Sequence, residues 1–160
     1  MMDGNRLVGL LGHASTQPEL DDFLSSNGVK ARPKGGDTPN LVSEKKLGLS
    51  FEYRALEDFE QSVGKPKSTG KFIFREVDFS TKFAGKLPFG VTFATSEGGL
   101  QSVLGAPRET LEGDDDDGPN HVYYHDGLII VAQLSVGGKS IEWFRVGLPT
   151  NADREQGLCS

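Results

Sequence analysis

The segment Leu87–Thr110, LPFGVTFATSEGGLQSVLGAPRET, constrains the fold most, because it carries both ends of one short helix. Leu87-Pro88-Phe89-Gly90 turns the chain, Thr95 or Ser96 can cap a helix, and Gly105 with Pro107 prevents its continuation. Leu100, Val103 and Leu104 fall at i, i+3 and i+4 and so share one apolar stripe. A helix this short is unstable alone in water and must lie on another layer. That layer follows directly. His121–Tyr124 and Leu128–Leu134 flank Asp126-Gly127, a strong signal for a two-residue hairpin. Gly137-Gly138 turns the chain again, and Lys139–Leu148 reads as a last strand.

The first half repeats this plan more weakly. Thr16-Gln17-Pro18-Glu19 predicts a capping box at Thr16 with Pro18 in the first turn, and Asn27-Gly28 predicts the stop. Leu20, Phe23 and Leu24 match Leu100, Val103 and Leu104 at an offset of 80. Residues 30–40, with two Pro and two Gly, read as a loop. Leu41–Lys45 and Leu49–Tyr53 read as strands about a turn near Leu47-Gly48, with Leu49, Phe51 and Tyr53 inward and Ser50, Glu52 and Arg54 outward. Lys71–Phe79 adds another strand. The expected fold class is therefore α+β: one or two antiparallel sheets, short helices packed on one face, and a tandem helix-plus-sheet repeat. Residues 1–84 form the first unit and 85–150 the second, packed as one globular domain, and 151–160 form a flexible polar tail.

Composition narrows the chemistry. The net charge of −6 opposes general nucleic-acid binding, which needs clustered Lys and Arg. The single cysteine, Cys159, allows neither an internal disulfide nor a cysteine zinc site. The apolar run Leu7–Leu11 is short for a secretory segment, and no stretch reaches the length of a membrane span, so the expected location is the cytoplasm.

Several motifs fail on inspection. Gly64 and Gly70-Lys71 miss the phosphate-loop spacing by one residue, and Phe72 stands where Ser or Thr would hold the metal. Asp114–Gly118 fails as a calcium loop. His121, Tyr123 and His125 share a strand face beside four Asp, so a His–His–Asp metal site is one option and ordinary strand residues are the other. The expectation is no catalytic residues, no metal and no cofactor.

The acidic run is the more informative feature. Glu109, Glu112, Asp114, Asp115, Asp116, Asp117 and Asp126 place seven carboxylates within 18 residues. Four adjacent carboxylates belong in an exposed loop, which can either solvate the protein or steer a cationic partner. Tyr123, Tyr124 and Trp143, with Phe144 nearby, are the candidate aromatic anchors for such a partner.

Gly90-x-Thr92-x-x-Thr95 through Val103-Leu104-Gly105-Ala106-Pro107, followed by Tyr124-x-x-Gly127-Leu128, resembles the LGxP-type repeat of β-lactamase-inhibitor-like and outer-membrane assembly lipoprotein (SmpA/OmlA-like) domains. That resemblance implies helices against an antiparallel sheet, with two units in tandem in the inhibitor family. The order of a Gly-Leu-Ser-Phe-Glu strand, LPFGVTF…LGAP and YYHDGL is also similar to small cytosolic immunity proteins encoded beside bacterial polymorphic and type VI secretion toxins. It implies a non-enzymatic inhibitor that binds one cognate toxin and occludes its active site. From charge and hydropathy no nucleic-acid or membrane partner is expected, and the expected state is a monomer or weak dimer. The acidic loop suits a basic, nuclease-type toxin. The alternative role is a chaperone or adaptor for a secreted protein. No site residue is carried over from either family.

Overall fold

In the computed structural model, residues 1–160 are described throughout, and seven antiparallel strands form one continuous sheet. The strands are β1 (Asn40–Glu44), β2 (Leu49–Ala55), β3 (Phe72–Ser80), β4 (Glu109–Leu111), β5 (Asn120–His125), β6 (Leu128–Leu134) and β7 (Ile141–Gly147). Their order is β1-β2-β3-β7-β6-β5-β4. Each half of the chain thus supplies a meander, and the last strand of each, β3 and β7, pair at the centre. The helices are α1 (Gly4–Gly9), α2 (Pro18–Ser26), α3 (Leu56–Ser62), α4 (Glu97–Leu104) and α5 (Asn151–Glu155). This is an α+β fold with an antiparallel sheet and short helices, and no helix is long and apolar enough to cross a membrane.

Local chemistry sets the boundaries. Asp126 and Gly127 both have positive φ (51° and 75°), as a type I′ turn requires, and this pins Tyr124 opposite Ile129. Gly48, at φ 70°, closes the β1–β2 connection, and its missing side chain leaves room for the backbone of Lys82 and Phe83. Ser96 caps α4 by accepting from Gly99 N–H at 3.2 Å. The cap of α2 is Gln17, one residue later than the expected Thr16, because the Gln17 amide oxygen reaches Leu20 N–H at 2.9 Å. Residues 12–15 pair with β3 along Phe72–Phe74, the stretch of its edge that β7 does not reach.

The main core lies between one sheet face and α1, α2 and α4. Leu7, Leu20, Phe23, Leu24, Leu100 and Leu104 pack with Phe51, Tyr53, Phe74, Phe79, Tyr123, Ile130, Phe144 and Val146. Val103 is 40% exposed, so the second apolar triplet is a pair in the fold. The single covered face does not extend to every helix. Phe72, Ile73 and Phe74 are consecutive and all buried, which gives β3 two apolar faces. Ile73 points away from the main core and is covered by Ala14, Phe59 of α3 and Val63. Residues 151–160, expected as a flexible tail, are folded over this second cluster. Thr150 and Asp153 form a reciprocal capping box, Asn151 donates to Gln61 O, Arg154 donates to Val63 O, and Leu158 is buried.

Candidate functional site

Strand alternation decides which side chains are available. On β5, His121 and Tyr123 face the core, whereas Asn120, Val122 and Tyr124 face outward. Register then carries that outward face across the sheet: Val122 lies opposite Val131, Asn120 opposite Gln133, Gln133 opposite Trp143, and Trp143 opposite Ser80. Glu109 and Leu111 of β4 extend it to the edge, and Leu111 is 60% exposed. No helix covers the part of this face bearing Leu111, Val122, Val131 and Trp143, since α3 and α5 occupy its other end.

A charged strip borders these apolar residues. Arg145 stacks on Trp143 (5.0 Å to the ring centroid) and donates to Asp78 at 2.7 and 3.0 Å. Arg75 bridges Glu52 and Glu76, reaching Glu76 at 2.7 Å and Leu148 O at 2.9 Å. Burial pushes the Glu76 carboxyl above its ordinary range despite the attraction of Arg75 and Arg145. The bulged residue Arg75 is what brings this cluster together. The register shift between Glu52 and Tyr53 places Arg75 beside Glu76 on the outer face.

The acidic residues form a structured loop beyond the start of β5. Asp114 Oδ1 accepts from Asp116 N–H at 2.8 Å and Asp117 N–H at 2.7 Å, and these bonds hold its carboxyl below the usual range. Glu112 and Asp114–Asp117 are all exposed, and Gly118 anchors the loop against the backbone of Leu134 and Ser135.

The ten expected contact residues therefore separate. Glu109, Glu112, Asp114, Asp115, Asp116 and Asp117 cluster at one end of the sheet, and Trp143 lies on the outer face toward the same end. Tyr123 is corrected: it is 0% exposed and packs in the main core, so it cannot meet a partner. Tyr124 is on the outer face, but at the opposite end. There it lines a cleft of about 720 Å³ with Phe59, Leu148, Arg154 and Cys159. Asp126 occupies the hairpin turn at that same far end, about 20 Å along the strand from the acidic loop.

His121 and His125 cannot share a metal. They stand four residues apart on one strand, about 13 Å. His121 is buried against Thr110, with Nδ1 to Oγ1 at 2.8 Å, and His125 packs edge-on against Phe89. No three His, Cys, Asp or Glu side chains converge at metal-ligand spacing. Sequence reasoning missed Leu111, Val122, Val131 and Arg145. The continuous apolar run Leu128–Val131 was the available signal, because a strand with four apolar residues in succession has an apolar side on each face.

No protein-family model matches the chain, and no curated protein matches it. Among solved structures it is similar to a DUF4309 family protein (YjgB) from Bacillus subtilis, at 15% identity and a TM-score of 0.40. The match covers 80% of this chain and 76% of that one. A likeness at that level carries no argument about function.

Proposed function

We propose that this protein is a stoichiometric protein-binding module. It docks a basic partner on the outer sheet face around Trp143, with the acidic loop at the rim, and acts in the cytoplasm as an immunity protein that occludes a bacterial toxin. The observation that carries the binding reading is one juxtaposition. An uncovered patch of Trp143, Val122, Val131 and Leu111 adjoins both the Arg145–Asp78 strip and the exposed carboxylates of residues 112–117. An apolar centre with an aromatic anchor and a charged rim is how protein interfaces divide affinity from steering. The toxin-neutralising role is the member of this class to which the sequence resemblance points.

The test uses the intact protein as bait in lysate of the source cell, followed by titration calorimetry with whatever is captured. The reading expects one basic toxin at 1:1 stoichiometry, weaker binding at high salt, and inhibition of that toxin's activity. Trp143→Ala is expected to weaken binding about 30-fold, the effect of losing an anchor worth about 2 kcal/mol. A partner that binds Trp143→Ala and an Asp115→Asn/Asp116→Asn double variant as tightly as the native chain would overturn the proposed site. A captured protein whose activity is unaffected would overturn the immunity role.

A further inference from the structure

The cleft beside Tyr124 holds about 720 Å³, within the roughly 300–1,000 Å³ of small-molecule sites. Four segments far apart in the chain wall it: the end of α3, the β5–β6 hairpin, the exit of β7 and the folded end of the chain. Phe59, Val63 and Leu148 give it an apolar wall, because the second core cluster reaches the surface here. Two cations complete the lining. Neither Lys65 nor Arg154 forms an ion pair, and no Asp or Glu side chain lines the cleft. In a chain of net charge −6 this is a local reversal of sign. Arg154 is also held in place. Its Nη1 donates to Asn151 Oδ1 at 2.8 Å, and its Nη2 donates to Val63 O at 2.9 Å and to Pro149 O at 3.3 Å. All three acceptors are neutral, so the guanidinium is oriented with its charge uncompensated and with N–H donors to spare.

We propose that this cleft binds a small organic acid, a carboxylate carried on an apolar aryl or alkyl body. Charge-assisted bonds from a guanidinium and an ammonium to a carboxylate are the strong class of hydrogen bond. Because Val63 O, Pro149 O and Asn151 already fix Arg154, little side-chain freedom is lost when the acid arrives, and more of the interaction appears as affinity. The body of the ligand covers Leu148 and the apolar wall behind it, removing that surface from water. A bare oxyanion leaves the wall wet, and an uncharged body leaves both cations without a counter-charge. The lining matches a ligand with both parts. This site is independent of the protein-binding reading, since Tyr124 stands at the end of β5 away from the acidic loop.

The probe is phenylbutyrate, titrated into the full chain while backbone amides are followed by NMR, with Gly64, Gly127 and Gly157 as reporters in the cleft lining. Phenylbutanol, phenylbutylamine, inorganic phosphate and phosphatidylglycerol vesicles are run in parallel. The expected result is a saturable shift at the three glycines, with the amides of Asp114–Asp117 unmoved. The alcohol should bind at least tenfold more weakly, and the amine should not saturate. Lys65 is exposed and makes no ion pair, so Lys65→Gln should keep the native spectrum. It should weaken phenylbutyrate about tenfold, the lower end of what a hydrogen bond to a charged group contributes. Arg154→Met should abolish saturation. Because that change also frees Val63 O and Pro149 O, the Lys65 variant decides the matter if the end of the chain loosens. A linear shift with phenylbutyrate, an equal response to the alcohol, equal saturation by inorganic phosphate, shifts that arise only with vesicles, or native affinity in Lys65→Gln would each overturn the assignment.

Discussion

Replacing Gly118 by Ala would test how the acidic loop is held. A Cβ at Gly118 would meet Leu134 O, Ser135 O and Ser135 C at under two-thirds of an ordinary contact distance, and all three are backbone atoms of β6 and its exit. Rotamer changes cannot relieve that clash, so either the loop or the end of β6 must move. Movement would strain the bonds from Leu134 N–H to Pro119 O (2.9 Å) and from the Gln133 side chain to Gly118 O (2.8 Å). Overpacking of this kind costs about 3 kcal/mol, at the upper end of its usual range. For a chain of this length that lowers Tm by about 6–12 °C. Gly98 on α4 is the matched control, since a Cβ there meets nothing within 4 Å. Gly98→Ala should raise stability by about 0.5 kcal/mol through the unfolded state. Urea unfolding followed by the fluorescence of Trp143, the only tryptophan, reads both variants, and amide exchange at Leu134 localises the damage. A Gly118→Ala protein with a native urea midpoint and a protected Leu134 amide would refute the loop's anchorage as described.

Three further outcomes follow from the buried polar groups. Arg75→Met leaves Glu52 and Glu76 without their shared cation on a largely buried strip, and should cost about 3–5 kcal/mol by urea unfolding at neutral pH. A loss below 1 kcal/mol would mean the cluster is solvated. Because the folded-state pKa of Glu76 is raised, the stability associated with its protonation is complete below the unfolded value and is lost as pH rises through the folded one. Glu76→Gln should therefore gain on the native chain as pH rises from the carboxylate range to neutrality, and a flat or opposite difference would contradict the burial argument. Tyr123→Phe removes a hydroxyl that has no partner, so it should be neutral or stabilise by up to about 1 kcal/mol, whereas Tyr123→Ala should cost about 3–5 kcal/mol through the cavity it leaves. Calorimetric Tm values for the two variants check this, and a strong loss in Tyr123→Phe would point to an unseen partner for that oxygen.

The elements that could be read from the sequence are those whose signal is local. Asp126-Gly127 demands positive φ at two residues and so fixed the β5–β6 register, and the alternation of Leu49, Phe51 and Tyr53 fixed the inward face of β2. The missed elements draw their stability from elsewhere. α1 is six residues with Gly at both ends, and it is held by Gly4 N–H on Lys86 O and by Asn5 on Phe89 N–H. α3 buries only Phe59, and β4 is three exposed residues that exist because β5 offers an edge. The Thr150-Asn151-Ala152-Asp153 end of the chain did carry a cap signal, obscured by the polarity around it. At the site, adjacency alone exposed Asp114–Asp117. Tyr123 and Tyr124 must point oppositely on a strand, but which one lies inside is set by the covering of the core face, where Tyr123 packs with Ile130 and Phe144. The meeting of Glu97 with His121 joins residues 24 apart in the chain and has no signature in sequence.

The most direct test of the binding account is side-chain footprinting of the protein alone and in complex with its captured partner, using oxidative labelling of Trp143 and carbodiimide labelling of the carboxylates. The account predicts protection of Trp143, Leu111 and Asp114–Asp117, with Tyr124, Asp126 and the exposed Leu41 of β1 unchanged. Protection centred on Leu41 and β1, or on the Tyr124 cleft, with Trp143 and the acidic loop labelled as in the free protein, would contradict it.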